Sequence, residues 1–504
     1  GDRPGVDIAN NPDWLVGKDG GVRELKPFPN GSDPWPPNAW NSYGGGTNAV
    51  SLADYRHLYK TYLSDPHLQE ARARWPFISI WDDHEFTNDA WQAFDTYFSD
   101  GRGAQRRKVA ANQAWFEFVP ALLTHPKNPE ASPARDFALA EVADADPIQS
   151  PDWVDVSPDT IAALASLTIY RTLRWGKRCE LFLTDLRSYR SPQPADAELK
   201  KHLGSGLTPV AMMRTLDEGR AANEGVPPET LDGKEGPFPN PRRDKGPGTM
   251  LGAAQRDWFK AALKESSATW KIWANSTPSL ALRLDLSSIP FAGMEDVVLG
   301  TDGWQGYPGE LRELMKFLRT EGVTNVISCA GDYHLHAAGL LKTDPDSDSE
   351  AAAFEIATAG ISSLSMFTIV ELASRSIPSF RTMVAIESNA GVAPNFNRSA
   401  LRGAFSGLLM GWVGWEWLAD LMASEPNPGL QFFDAAANGY ARVALKSDAA
   451  ETELVAVEPP QMDYGSQPAP VRYRARFRVP AWTRDEQPRI DTMTIEGAPP
   501  IPLA

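Results

Sequence analysis

Residues 309–336 read GELRELMKFLRTEGVTNVISCAGDYHLH and decide the fold class. The first half predicts a helix that ends at Gly322, because glycine adopts the left-handed backbone that commonly ends a helix. The apolar run after it predicts a strand that runs into Asp332, His334 and His336. A helix followed directly by a buried strand is typical of an α/β sheet.

The same alternation recurs along the chain. Ser51 is placed to cap a helix, with Asp54 in its first turn, and Pro66 begins a second short helix. Further helices are predicted at QRRKVAANQAWFEFV and MLGAAQRDWFKAAL, and strands at WPFISIW, CELFLTDL and TWKIWAN. After about residue 439, ARVALKS, TELVAVE and VRYRARFRV predict three short strands in meander order. This pattern favours α/β over an all-α or all-β fold.

The predicted domain organisation is simple. Residues 1–50 are a loop-rich lead-in, and residues 51–504 form one domain that includes the C-terminal strands from about residue 439. Two Pro-rich stretches, residues 126–159 and 192–248, are expected to be surface loops that carry substrate-contacting elements.

Composition limits the class of partner. The chain has 504 residues and a net charge of −16, which disfavours a nucleic-acid-binding surface or an anionic membrane as the main partner. Its two cysteines, Cys179 and Cys329, lie in apolar runs and can form neither a disulfide framework nor a thiolate zinc site. The opening residues GDRPGVDIANN lack the pattern of a signal peptide.

The longest apolar stretch is FSGLLMGWVGWEWLADLM, residues 405–422. It is too short to span a bilayer and is interrupted by Glu416 and Asp420, so we expect no transmembrane segment and a buried or lid-like helix instead. Its tryptophans could form an aromatic platform for a sugar or nucleobase, but core or lid packing is the preferred interpretation.

Polar residues follow four predicted strands at the point where each strand ends. They are Asp83 and His84, Asp185 and Arg187, Asn275, and Asp332 with His334. Ligands of open α/β sheets bind beyond the carboxyl ends of the strands. Oxygen ligands with one or two imidazoles suit Ca²⁺, Mg²⁺, Mn²⁺ or oxidised iron. Taken singly, the Asp-Asp pair could be a helix cap or an exposed loop, and a lone histidine a structural group.

The motifs WDDHEF, LTDLRSYR, LGAAQRDWF, DGWQGYP and GDYHLHA, in this order, resemble the PhoD-like alkaline phosphatases and phosphodiesterases of the metallophosphatase superfamily. The resemblance runs from about Ser51 to Tyr440. It implies a four-layer α/β/β/α sandwich with long loop insertions, and a secreted enzyme, periplasmic or extracellular, that releases phosphate from small phosphomonoesters and phosphodiesters. It also implies Fe³⁺ and Ca²⁺ as cofactors, with other divalent metals as alternatives.

The resemblance implies roles for single positions. Asp83 matches a metal ligand, and His84 the catalytic histidine that stabilises the transition state or protonates the leaving alkoxide. Asp332 and His334 match paired ligands, and Asn275 a further ligand on the next-to-last strand.

Four further residues are our own additions to that pattern. Arg187 is predicted to clamp phosphate, with a structural salt bridge as a nearly equal alternative. Asp82, Asp185 and His336 are predicted to orient the ligands.

Two metal ions would neutralise the phosphate charge and generate a hydroxide that attacks phosphorus in line. The family pattern also contains two upstream motifs, one strand that ends near a cysteine and one that ends in Gly-Asp-x-x-Tyr. Neither is found around Gly1-Asp2-Arg3, so we expect an upstream portion to be missing here. The leading hypothesis is a metal-dependent phosphoesterase. The alternatives are a non-catalytic binding protein on the same scaffold, or a hydrolase of another ester or of a cell-wall polymer.

Overall fold

A computed structural model of the chain describes residues 28–30, 33–34, 47–96, 101–119, 137–148, 150–152, 154–203, 207–290, 293–361, 363–375, 377–388, 391–459, 464 and 467–500. The chain divides into two compact units. The first unit consists of Gly1–Leu173, Phe182–Pro192 and Thr249–Asp257, and the second of Arg174–Leu181, Gln193–Gly248 and Trp258–Ala504. Most of the predicted lead-in, residues 1–50, lies outside the described residues, so that boundary stays a prediction.

The α-helices of the described residues are α1 Leu52–Leu63, α2 Pro66–Arg74, α3 Gln105–Phe118, α4 Pro158–Ala165, α5 Ala197–Leu203, α6 Val210–Glu218, α7 Ala222–Gly225, α8 Ala253–Glu265, α9 Pro308–Glu321, α10 Met366–Ser374, α11 Pro378–Val384, α12 Asn395–Arg402, α13 Ala404–Val413 and α14 Glu416–Leu421.

The strands are β1 Asp33–Pro34, β2 Thr47–Asn48, β3 Phe94–Asp95, β4 Arg102–Gly103, β5 Arg171–Trp175, β6 Cys179–Leu183, β7 Thr208–Pro209, β8 Thr230–Leu231, β9 Phe238–Pro239, β10 Trp270–Ala274, β11 Arg283–Leu284, β12 Val297–Val298, β13 Val326–Ala330, β14 His336–Lys342, β15 Ala351–Ala357, β16 Ile386–Ser388, β17 Gly391–Ala393, β18 Leu430–Asp434, β19 Asn438–Leu445, β20 Ala449–Val457, β21 Val471–Pro480 and β22 Thr492–Gly497.

The predicted α/β class is confirmed. The largest sheet of the described residues has the order β18-β14-β15-β13-β10-β6-β5. Its middle strands β10, β13 and β15 are parallel, whereas β14 pairs antiparallel with β15 and β18. Helix α9 packs against β14 and β15. The fold is therefore mixed α/β around a large sheet.

A second sheet packs on the first within the second unit. Strands β19, β20, β21 and β22 form an antiparallel meander, which confirms the predicted order and adds β22, which the sequence analysis did not predict. Phe354 and Phe432 of the large sheet share one buried cluster with Leu454 and Phe477 of the meander. The rings of Phe432 and Phe477 meet edge to face at 5.7 Å. This interface between two sheets is the main core of the second unit.

The outward face of the meander is charged. Glu453 bonds with Arg442, Arg474 and Arg476 on that face. In the second unit, helix α9, the large sheet and the meander supply three of the layers of the predicted four-layer α/β/β/α sandwich. The fourth layer stays a prediction.

Several predicted helix ends are confirmed. Gly322 ends α9 with a left-handed backbone, φ 69°. Ser51 caps α1 by accepting from the Asp54 backbone N–H, while the Asp54 carboxylate accepts from the Ser51 N–H at 3.0 Å. These caps satisfy backbone groups that a helix end leaves without partners.

The predicted strand at WPFISIW is wrong. Residues 76–82 belong to no helix or strand among the described residues, and Trp75, Phe77 and Ile78 are exposed. The Ser79 carbonyl accepts from the Arg171 guanidinium at 2.9 Å rather than from a neighbouring strand. An apolar run therefore did not suffice to make a strand here, because a strand also needs a backbone partner.

Two further expectations are corrected. Residues 192–248, expected to be loop, contain α5, α6, α7 and the short strands β7, β8 and β9. The apolar stretch 405–422 is two helices, α13 and α14, separated at Gly414 with φ 70°. Within the described residues, no helix combines the length and the apolar character that crossing a membrane requires.

Both cysteines are free thiols. Burial raises the pKa of Cys179 to about 11 and that of Cys329 to about 12. The expectation that the two do not pair in a disulfide agrees with this.

Candidate functional site

The predicted site residues lie in both units. In the first unit, Asp83, His84 and Glu85 form a short 3₁₀ helix, and the Asp82 N–H donates to Glu85 Oε2 at 2.8 Å. The two carboxylate oxygens of Asp83 accept from backbone N–H groups, Oδ1 from His84 at 2.7 Å and Oδ2 from Asp89 at 2.9 Å. The turn therefore fixes the orientation of the Asp83 carboxylate.

Asp83 is held in its charged form. Burial alone would raise its pKa, but the charges of His84 and Arg187 and the two N–H bonds outweigh burial. The pKa of Asp83 consequently lies well below its usual range. His84 Nε2 is 3.9 Å from Asp83 Oδ2, and the His84 side chain is 42% exposed. A buried carboxylate beside an exposed imidazole suits a ligand next to a group that meets substrate.

Arg187 forms an ion pair rather than an exposed clamp. Its Nε donates to Asp82 Oδ1 at 2.7 Å, and its side chain is only 2% exposed. Asp185 Oδ1 accepts from the backbone N–H groups of Arg187 and Ser188 at 3.0 and 2.9 Å, which shapes the turn after β6. Asp185 thus holds the backbone of Arg187. The contacts of the Arg187 side chain favour the structural salt bridge over the phosphate clamp.

Lys108 is a member of this cluster that the sequence analysis missed. Its ammonium lies 4.5 Å from the Trp81 ring centre and 5.2 Å from that of Phe86. Burial lowers the pKa of Lys108 to about 8, opposed by the charges of Asp185 and Glu85. A signal was available, because Lys108, Ala111 and Trp115 share the buried face of α3 at helical spacing.

In the second unit, the ends of two parallel strands bring Asn275 and Asp332 close along the sheet. Ala274 of β10 is paired with Cys329 of β13. Just beyond them, the Gly331 N–H donates to the Ser276 carbonyl at 3.0 Å. The two strand ends that precede Asn275 and Asp332 are therefore neighbours in the sheet, while the joint role of the two side chains stays a prediction.

Asn275 is buried in a hydrogen-bond network. Its Oδ1 accepts from Trp304 Nε1 at 3.1 Å, and its Nδ2 donates to Ser279 Oγ at 2.8 Å. The amide plane is therefore fixed, with one acceptor position of Oδ1 already used by Trp304.

Glu355 organises that network and was also missed. Its carboxylate accepts from the Ser279 N–H at 2.8 Å, the Leu280 N–H at 2.8 Å and Ser328 Oγ at 2.7 Å. Burial raises the pKa of Glu355, and these bonds oppose the change. A glutamate inside the apolar run AAAFEIATA was the available sequence signal.

The GDYH turn carries two residues with left-handed backbone, Asp332 with φ 61° and His334 with φ 54°. Non-glycine residues adopt this conformation at a cost, and such residues cluster at functional sites. His334 Nδ1 lies 2.6 Å from the Leu364 carbonyl, so Nδ1 carries the hydrogen. Nε2 is then the basic nitrogen, which is the arrangement of histidines that bind metal ions.

His336 serves the interface between the two sheets of the second unit. Its Nδ1 accepts from the Ala359 N–H at 3.0 Å, and its Nε2 donates to the Val455 carbonyl at 3.2 Å. Burial lowers its pKa to about 4. Both ring nitrogens are therefore engaged by backbone, and its predicted role in orienting ligands gains no support from these contacts.

The description "PhoD-like phosphatase" is that of the family model that matches residues 32–402. The chain belongs to the PhoD-like phosphatase family. Alkaline phosphatase D of Bacillus subtilis (strain 168) is 23% identical over 295 residues, 58% of this chain and 37% of that protein. The resemblance drawn from the WDDHEF and GDYHLHA motifs is confirmed.

A solved structure described as "Structure of PhoD" has a similar fold. Its TM-score is 0.53 at 19% sequence identity, and the match covers 89% of this chain and 60% of that chain. This PhoD-like chain thus spans less than two thirds of the length of either relative.

The donor chemistry of this PhoD-like chain fits a hard metal ion. In the first unit, Asp83 presents an ionised carboxylate. In the second unit, taken by itself, Asp332 presents a carboxylate and His334 an imidazole whose Nε2 is basic. Oxygen ligands with imidazole suit oxidised iron, calcium, manganese or magnesium rather than a thiolate site.

Proposed function

We propose that this chain hydrolyses phosphoric esters with the help of bound metal ions. Membership of the PhoD-like phosphatase family supports a phosphoesterase. The observation that carries the proposal is the hydrogen bond from His334 Nδ1 to Leu364, because it leaves Nε2 basic. Histidines that bind a metal ion through Nε2 commonly donate the Nδ1 hydrogen to a carbonyl oxygen in this way.

The proposed metal ligands are Asp83, Asn275, Asp332 and His334. The proposed ions are Fe³⁺ and Ca²⁺, with other divalent metals as alternatives. Metal ions held by these residues would neutralise phosphate charge and make a water molecule more acidic. For Asn275, the bond from Trp304 to Oδ1 supports a fixed amide, which can still offer its second lone pair.

His84 is proposed to protonate the leaving alkoxide or to stabilise the transition state. Its exposure supports contact with substrate. Asp82 and Asp185 are proposed to hold Arg187, whose positive charge favours the ionised form of Asp83. A direct phosphate contact by Arg187 stays a weaker proposal, since Arg187 is buried in its ion pair with Asp82.

The finer parts of the proposal extend the family resemblance. They are a four-layer α/β/β/α sandwich, small phosphomonoesters and phosphodiesters as substrates, and a periplasmic or extracellular location. They do not depend on the contacts described above.

The test measures bound metal and turnover together. Purified protein is analysed for metals by elemental analysis and assayed with bis-p-nitrophenyl phosphate and p-nitrophenyl phosphate, before and after chelation. We expect bound iron and calcium and turnover of the diester. Chelation should remove the metals and abolish the turnover. The variants D83N, D332N and H334A should each lose metal and activity. The variant H84N should lose activity by at least about a hundredfold with its metal retained.

The control variant is H67Q, because His67 is exposed on α2 and has no proposed role. Its metal content and activity should equal those of the parent protein. Metal-free, inactive protein would favour the non-catalytic binding protein. Metal-containing protein that cleaves neither substrate would favour a hydrolase of another ester or of a cell-wall polymer.

A further inference from the structure

The tryptophan-rich stretch around Gly414 is exposed, although core or lid packing was the preferred expectation. Trp412 is 64% exposed, Trp415 58% and Trp417 65%. Three more apolar side chains in the same stretch are exposed, and with the tryptophans they form what we call the tryptophan patch: Trp412, Val413, Trp415, Trp417, Leu421 and Met422. An exposed apolar cluster of this kind marks an interaction surface.

The patch stands on an ordered base. Gly414 adopts the left-handed backbone at the end of α13, and α14 begins two residues later. The rings of Trp415 and Trp417 are stacked, with centres 6.2 Å apart and planes at 18°. Beneath them, Ala419 is fully buried. The tryptophans are therefore presented outward by packed helices.

Two acidic side chains lie beside the patch and share a single cation. Glu416 and Asp420 both bond to Arg398, at 3.2 and 2.6 Å, and Arg398 is itself buried. Residues 404–422 contain no lysine or arginine. The whole chain carries a net charge of −16, which opposes binding to an anionic surface. The charge that remains beside the patch is therefore negative, which opposes an anionic partner and leaves the apolar side chains as the basis for binding.

The tryptophan side chains indicate which class of surface the patch binds. Tryptophan concentrates at the boundary between water and lipid because its ring is apolar and its indole N–H is polar. Helices α13 and α14 have 10 and 6 residues, too short to span a bilayer but long enough to lie in its surface. A protein partner would have to match six exposed apolar side chains on two short helices, whereas a fluid lipid surface needs no such match.

We propose that the tryptophan patch inserts into the headgroup region of a neutral lipid surface, such as zwitterionic phosphatidylcholine. The patch anchors the protein reversibly by burying its apolar area, without an attraction to anionic lipid. This inference is independent of the phosphoesterase proposal, because it involves neither the metal ligands nor turnover.

The test is co-sedimentation of the purified protein with phosphatidylcholine vesicles. The patch variant is W412S/W415S/W417S. Its matched control is W75S/W175S, which removes two tryptophans of similar exposure, 63% and 61%, elsewhere in the chain. We expect the parent and the control to bind, with a blue shift of tryptophan fluorescence. The patch variant should lose at least about tenfold in partition coefficient, since three large apolar side chains are removed.

Several outcomes would overturn the proposal. They are no sedimentation of the parent protein, equal loss in the patch and control variants, or stronger binding to vesicles that contain phosphatidylglycerol. A change from oligomer to monomer in the patch variant, with vesicle binding intact, would assign the patch to a second copy of the chain instead. If the triple variant fails to fold, W417S alone gives the same test, because Trp417 is the most exposed of the three.

Discussion

Arg187 Nε donates to Asp82 Oδ1 at 2.7 Å, which joins the turn after β6 to the turn that carries Asp83 and His84. The two residues lie 105 positions apart in the chain. Since the charge of Arg187 also lowers the pKa of Asp83, this ion pair links the shape of the turn to the charge state of a proposed ligand.

The first prediction concerns this ion pair. The variant R187M should lower the free energy of unfolding by about 2 kcal/mol, because it leaves the Asp82 charge without its buried partner. The double variant D82N/R187M should recover part of that loss, with a coupling energy of about 1–2 kcal/mol. Urea unfolding of the parent, D82N, R187M and D82N/R187M measures the coupling energy. Strictly additive losses would contradict the prediction.

The second prediction concerns Asp217 and pH. Burial raises the pKa of Asp217 to about 8, although the Gly309 N–H at 2.7 Å opposes this. The folded state therefore binds more protons than the unfolded state between about pH 4 and pH 8, so stability falls as pH rises through this window. The variant D217N should not show this loss. Its free energy of unfolding, compared with that of the parent, should therefore rise by about 2 kcal/mol from pH 5 to pH 8.5.

Urea midpoints at the two pH values measure this gain. The matched control is D348N, because the Asp348 side chain is 86% exposed. A parallel pH dependence of parent and D217N would show that Asp217 does not titrate in this range.

The third prediction concerns Glu355. The variant E355Q places an NH₂ group among donors, so bonds from Ser279, Leu280 or Ser328 are lost. We expect a loss of about 2 kcal/mol in the free energy of unfolding. If Asn275 binds metal, the retained metal should fall as well, since Glu355 and Asn275 share Ser279 and Ser328. The variant E350Q, in an exposed ion pair with Arg319, should leave both quantities unchanged.

The fourth prediction concerns Asp346. Its carboxylate bonds with Arg214 and Arg283 and lies 3.4 Å from Arg312. The variant D346A should destabilise the protein by about 1–3 kcal/mol, because three guanidinium groups lose their shared anion. Inorganic phosphate should restore part of the thermal stability of D346A but not of the parent.

The control for this loop is D348A. Asp348 pairs with Lys342 at the surface, so its loss should change the stability little. Equal effects of D346A and D348A would mean that the arginine cluster does not depend on Asp346.

The features of the fold that depend on residues near in sequence, such as helix ends, were predictable from the sequence. Ser51, Asp54 and Gly322 predicted helix ends correctly, because caps use residues within one turn. The strand at TNVISCAG and its polar end were also predictable, since β13 is a short buried run between a helix and a turn.

Features that depend on distant partners were not predictable. The WPFISIW run has strand composition but bonds to the Arg171 side chain, and nothing in the run itself indicates that. Lys108 and Glu355 are charged residues in apolar patterns, and their partners lie on other elements. The tryptophans at 412–417 have the composition of a core, yet all three are exposed, and nothing in the stretch itself indicates that.

The two protonated thiols have a practical consequence. Cys179 and Cys329 hold little thiolate at neutral pH, because burial raises the pKa of both. Maleimide reagents react with thiolate, so the parent protein should label slowly. A cysteine introduced at an exposed position, such as Trp417→Cys, would then accept a single spin label or fluorophore without removal of the native cysteines. A single label of this kind would allow spectroscopic measurement of depth and distance at one chosen residue.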